Sequence, residues 1–193
     1  MRIVISVDHM GRLGRRSGDR GAAHGSLYEV DLTWRIAEAF YQAGRNIHDV
    51  IVASHGDYGD RHRWSNANDV DVYLALHINA SSNERADYGA FFYHPNTKPG
   101  NGDRLAEIMA VEMMKVARSR RYPDFKAKAI RAAGDAWKNP RYVIGGLKNP
   151  VGICCEPFFI SSPVHRRAFC NTPTLIDIGR AYLSAVEEWE RAK

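Results

Sequence analysis

The chain has 193 residues, 45% hydrophobic and 25% charged, a balance that excludes wholesale disorder and a fibrous protein. Its length suits one domain, 1–193, with a core large enough to need no staples. Lys and Arg total 27 against 22 Asp and Glu, a net charge of +5, which favours an acidic partner: nucleic acid, an anionic cell surface or an acidic polymer.

The N-terminus, MRIVISVDHMGR, has an apolar run of only about five residues, too short for a signal peptide, and Ile3 to Val7 reads as a buried strand. Arg12 to Gly25, rich in Gly and Arg, reads as a loop. A helix is expected from Ser26, with Val30, Trp34, Ala37, Phe40 and Tyr41 on one face and Gly44 as its C-cap. Val50 to Ala53 is the second strand, and Arg61 to Asn68 a short helix capped by Asp60. Val72 to Leu76 and Gly89 to Tyr93 are further strands. After a Pro/Gly loop, Asn96 to Gly102, the stripe Leu105, Ile108, Met109, Met113, Val116 marks a long helix. Arg118 to Pro140 is basic and takes no clear assignment. Arg141 to Ile144 and Val151 to Cys155 read as strands, and Thr174 to Trp189 as the closing helix. Strands alternating with helices predict an α/β domain with a mixed, largely parallel sheet. No run of about 18 apolar residues is present, so no membrane span is expected. Cys154, Cys155 and Cys170 lack the number and spacing of a disulfide framework or zinc knuckle and read as small buried residues.

His9, His77 and Glu156 each fall at or just past the end of an apolar strand. In open α/β sheets the ligand crevice lies at the carboxyl ends of parallel strands, which would gather all three on one edge. Glu29, in the first turn of the first helix, follows a glycine-bearing loop that can fold over the same edge. Two histidines and a carboxylate are the donor set of a catalytic zinc site, and a further carboxylate would serve as general base. Spacing alone does not single out these residues: the chain has eight histidines and 22 carboxylates and contains no HExxH.

The order and wording of the blocks go further. IVISVDHMG and GDRGAAHGSLYEVDL are followed by RWSNANDVDVYLALHINA and then by ICCEPFFISSP. Together they resemble the zinc-dependent N-acetylmuramoyl-L-alanine amidases of the Amidase_3 type, cell-wall hydrolases of bacteria that also occur as phage endolysins. The resemblance spans residues 3 to 163 and implies that fold, one bound zinc ion and peptidoglycan as substrate. It puts His9, Glu29 and His77 on the metal ligands and Glu156 on the catalytic carboxylate. Arg63, Ala67 and Asn68 fall on one further part of the pattern, His77, Asn79 and Ala80 on another. Asn79 and Arg63 are therefore candidates to orient substrate or neighbouring groups. The chain departs from the pattern in two places. The usual Asp-Pro-Gly before the first histidine is replaced by Ser6, Val7 and Asp8, while Pro157 and Ser162 stand where Gly and Asn are usual.

Some residues have competing roles. Ser26-x-x-Glu29 is a capping box, in which Glu29 would bond the helix N-terminus instead of a metal. His24 is the alternative ligand from the same loop, and His55, His62 and His94 are expected to be solvated or to touch substrate. Arg12, Arg15, Arg16, Arg20 and the Lys115 to Arg121 stretch would be a solvated face or a positive rim. No recognition-helix or aromatic-interleaved motif supports nucleic acid as partner. The expectation is thus a monomeric, single-domain amidase without its own wall-binding module or export signal. It would be made in the cytoplasm and passed to the wall by a holin-type pore. The rival expectations are an inactive wall-binding or phage structural protein of the same fold, and a zinc peptidase or deacylase acting on another amide.

Overall fold

In a computed structural model, residues 1–10, 19–94, 101–132 and 142–193 are described. Eight strands are present among them: β1 (Arg2–Val7), β2 (Ala23–His24), β3 (Leu27–Tyr28), β4 (Asp49–Ala53), β5 (Val72–Leu76), β6 (Gly89–Tyr93), β7 (Ala127–Arg131) and β8 (Val151–Glu156). The helices are α1 (Glu29–Gly44), α2 (Tyr58–Ala67), α3 (Gly102–Ser119), α4 (Pro163–Phe169) and α5 (Thr172–Arg191). Six strands form one sheet in the order β4-β1-β5-β8-β6-β7. The first four run parallel, β6 is antiparallel to β8, and β7 is parallel to β6. The mixed, largely parallel sheet expected from the sequence is therefore present.

Alternation along each strand divides the core in two. Ile3, Ile5, Leu74, Ile153 and Phe91 face α1, α3 and α5. Val4, Tyr73, Cys154 and Phe92 face the other side, where Val143, Ile144, Leu147 and the ring of Tyr58 from α2 cover them. On the first side α1 and α5 meet closely at Gly179, where a Cβ would stand 2.5 Å from the Ile36 carbonyl oxygen. Cys154 and Cys155 are buried and unbonded, as expected, but Cys170 is only partly buried.

Four expectations need correction. The first helix begins at Glu29, not Ser26, and its N-cap Tyr28 makes no side-chain capping bond. The Ser26–Glu29 box does not form because the Glu29 carboxylate is bonded elsewhere, and Ala23–His24 pairs antiparallel with Leu27–Tyr28 instead. In α2 the cap is Asp57, three residues ahead of the expected Asp60. Asp57 and Asp60 bond reciprocally across the helix start, which draws the first turn back to Tyr58. The segment expected as a strand at Arg141 to Ile144 is a helical turn over 142–144, Arg141 itself lying outside the described residues. It sits on the sheet face, where a Cβ at Gly152 would stand 2.5 Å from Leu147 Cδ1 and 3.4 Å from Ile144 Cβ. Lastly, the unassigned basic stretch supplies β7, an edge strand. Its charges, Lys128 and Arg131, are what protects an edge from further pairing and what hides it from a search for apolar runs. Arg12, Arg15, Arg16 and most of the Asn96 to Gly102 loop lie outside the described residues.

Candidate active site

Register sets the site. Val7 pairs with Leu76 and Leu76 with Cys155, so the next position on each of three adjacent parallel strands carries Asp8, His77 and Glu156. The His77 amide still donates to the Cys155 carbonyl at 2.9 Å, which holds it level with its neighbour. One residue beyond Asp8 the chain turns, the Met10 amide donating to Val7 O at 3.1 Å, and His9 projects from that turn.

Glu29 arrives from α1 and is 4% exposed. Its Oε1 lies 3.0 Å from His77 Nδ1 and 3.3 Å from His9 Nε2. The same oxygen accepts from the Ile78 amide at 2.9 Å, and Oε2 accepts from the Ala22 amide at 2.7 Å. The loop behind it comes in at Gly21, whose φ is +71° and where a Cβ would stand 2.4 Å from Glu29 Oε2 and 2.7 Å from His9 Cδ2. A side chain there is barred twice, by the left-handed backbone and by the site itself.

The donor set fits a divalent metal such as zinc. One donor atom from each of His9, Glu29 and His77 lies within 4.8 Å of the others. Ligands about 2.0–2.1 Å from a tetrahedral centre stand about 3.3 Å apart, close to the two separations measured from Glu29 Oε1. Each histidine has a carboxylate at its other nitrogen: Asp19 Oδ1 is 3.3 Å from His9 Nδ1, and Asp8 Oδ2 is 2.8 Å from His77 Nε2. Carboxylates of this kind orient metal-binding imidazoles.

Charge balance reflects the crowding. Burial pushes the Glu29 carboxyl up, but its bonds to His77 and His9 outweigh this and hold it well below the usual carboxylate range. Burial opposes a charge on His77, yet Asp8 and Glu29 raise it to about 10. Glu156 is raised, first by burial and also by the charge of Glu29, against the pull of His77 and Asn79. Asn79 Nδ2 donates to Glu156 Oε2. Its backbone is clamped, the amide donating to Phe158 O at 3.0 Å and the carbonyl accepting from the Ile160 amide at 2.8 Å.

A model of the Amidase_3 family, N-acetylmuramoyl-L-alanine amidase, matches residues 3–188. The chain belongs to the Amidase_3 family. No curated protein matches it by sequence. Among solved structures it is similar to the catalytic domain of CwlV, an N-acetylmuramoyl-L-alanine amidase from Bacillus (Paenibacillus) polymyxa var. colistinus, at TM-score 0.78 and 13% identity, covering 100% of both chains. An N-acetylmuramoyl-L-alanine amidase from Clostridium difficile 630 gives TM-score 0.78 and 19% identity over 100% of this chain and 97% of that one. CwlD of Clostridioides difficile, solved in complex with the GerS lipoprotein, gives 0.78 and 14% over 100% and 99%. These likenesses are of fold. With the family match they support peptidoglycan amidase activity.

Not every candidate is drawn into this Amidase_3 site. Arg63 lies on the exposed side of α2, 75% exposed, and pairs with Asp60. It is Arg61 that reaches the site, 5% exposed and 2.9 Å from Asp8 Oδ1. His24, the alternative ligand, is exposed in β2. His55 is exposed, its Nδ1 3.0 Å from Ser54 Oγ, as expected of a solvated residue. His62 and His94 are buried, contrary to expectation, and His62 Nε2 meets Val143 O at 2.7 Å. Of the basic residues, Arg20 is spent on Asp31 at 2.6 Å and on the Tyr28 ring, and Arg120 pairs with Asp177. Sequence reading passed over Asp8, Arg61 and Asp19. The one signal for Asp8 was its place beside His9 at the end of a wholly apolar strand.

Proposed function

We propose that the chain is a zinc-dependent peptidoglycan hydrolase that cleaves the amide between the lactyl group of N-acetylmuramic acid and L-alanine. The observation that carries this reading is the gathering of one donor atom each from His9, Glu29 and His77 within 4.8 Å of one another, in the same site as a buried carboxylate, Glu156, with a raised pKa. His9, Glu29 and His77 would hold the ion. When bound, zinc supplies a Lewis acid that polarises the lactyl carbonyl and makes water more acidic. Glu156 takes the proton from the water whose oxygen attacks the carbonyl carbon. As the C–N bond breaks, Glu156 returns that proton to the departing amine nitrogen. A carboxyl raised by burial suits a group that must accept and then give a proton near neutral pH. Asn79 holds one Glu156 oxygen and leaves the other for the water. The net charge of +5 supports attraction to an anionic envelope. The narrower form of the reading is a monomeric endolysin.

The test is Glu156→Ala on purified peptidoglycan, with the released termini analysed. The variant is expected to fold and hold zinc, and to release L-alanine amino termini about 10²–10⁴-fold more slowly. Full activity in the variant would overturn the mechanism. Wild-type products with other new termini would point to a different amide, and no products at all to an inactive wall-binding protein.

A further inference from the structure

We propose that Asp8 is a positioning residue, which fixes His77 with its proton on Nε2 and its Nδ1 lone pair turned to the space shared with Glu29 and His9. This rests on the metal reading above. An imidazole binds a metal through one nitrogen and must carry a proton on the other, so whatever stands at the second nitrogen selects the tautomer. At His77 both nitrogens face carboxylates, Nδ1 Glu29 Oε1 at 3.0 Å and Nε2 Asp8 Oδ2 at 2.8 Å. Because His9 meets the same Glu29 oxygen on the Nδ1 side, a metal held there would take the Nδ1 lone pair and leave the proton on Nε2. A carboxylate only accepts, so the Nε2 proton is the one it holds.

The carboxylate is itself held. Asp8 is 1% exposed, and its other oxygen, Oδ1, takes a bond from Arg61 Nη1 at 2.9 Å and one from the Ser6 hydroxyl. Arg61 is anchored at three further carbonyls: Val7 at 3.2 Å, Met10 at 2.8 Å and His55 at 3.0 Å. It thus binds the end of β1, the turn that carries His9 and the loop before α2 into one unit. Oδ1 is committed to the guanidinium and Oδ2 is left to His77. Asp8 stands where the family pattern has glycine, and Ser6 where it has aspartate, so this arrangement belongs to this chain's own sequence.

A purely structural Asp8 would serve only as the partner of Arg61. The two roles separate in zinc affinity, measured by competition with a chromophoric chelator, alongside melting of the metal-free protein. Asp8→Asn keeps an acceptor oxygen and Asp8→Ala removes it. Zinc affinity is expected to fall about 10–100-fold, further in Asp8→Ala than in Asp8→Asn. Lower stability with unchanged zinc affinity in both variants would overturn the inference while leaving the metal reading intact. A wild type that binds no zinc would overturn both. Should the variants not fold, the zinc-loaded wild type decides: long-range proton–nitrogen NMR is expected to show the His77 proton on Nε2, slow to exchange. A proton on Nδ1 would refute the assignment.

Discussion

His77 and His165 each sit beside an aspartate, and they behave in opposite ways. His77 has an acceptor at each nitrogen, Glu29 at 3.0 Å and Asp8 at 2.8 Å. His165 is 0% exposed and meets Asp87 Oδ1 at 2.9 Å through Nε2, but its Nδ1 accepts from the Phe159 amide at 2.9 Å. Rings of Tyr122, Phe125 and Phe169 surround it. Burial is the leading influence on both. At His77 two carboxylates outweigh it and raise the pKa to about 10; at His165 one carboxylate does not, and the pKa falls. The donor at Nδ1 works in the same direction. Phe159's amide occupies the lone pair of His165, so a second proton would cost that bond. His77 offers both nitrogens to acceptors and so demands a cation, either a second proton or a metal ion. A histidine–carboxylate pair alone does not mark a metal site. The group at the other nitrogen decides.

The comparison breaks most sharply on truncation. His77→Ala should reduce bound zinc, by elemental analysis, from roughly one equivalent to near none and abolish amide hydrolysis. Retention near one equivalent would remove His77 from the ligand set. His165→Ala should leave zinc in place and instead cost about 3–5 kcal/mol in chemical denaturation, from the cavity it opens and the Phe159 amide it orphans. Loss of zinc with stability unchanged would reverse the roles assigned to the two residues.

These differences also show what the sequence could reveal. β1, β5, β6 and β8 were legible because they are short apolar runs, and α3 and α5 because their stripes repeat at helical spacing. β7 was not, since AKAIR lies at an edge and carries one large apolar residue, Ile130, among two alanines and two charges. The start of α1 was misplaced because Ser26 and Glu29 satisfy a local rule that long-range bonds override: Glu29 reaches Ile78, 49 positions away. His9, Glu29, His77 and Glu156 could be picked out by block order. Asp8 and Arg61 could not, as their pairing spans 53 positions and depends on strand register. His165 was equally hidden, its aspartate lying 78 positions away in a polar loop.

The smallest effect separates the two histidines by pH. Folding holds His165 below the ordinary imidazole value of about 6.5. As pH falls through that value the unfolded chain takes up a proton at this position and the folded chain does not. The unfolded state then binds more protons, and stability declines. The contribution of His165 is therefore complete above about pH 6.5 and is lost progressively below it. Comparing wild type with His165→Gln in urea from pH 8 to 5.5 isolates this, because terms common to both proteins, those of the metal site included, cancel in the difference. The wild-type advantage should hold steady at the alkaline end and narrow on acidification. An advantage that widens instead would mean that the fold favours the imidazolium at His165, and the Phe159 amide would no longer explain why this histidine stays neutral.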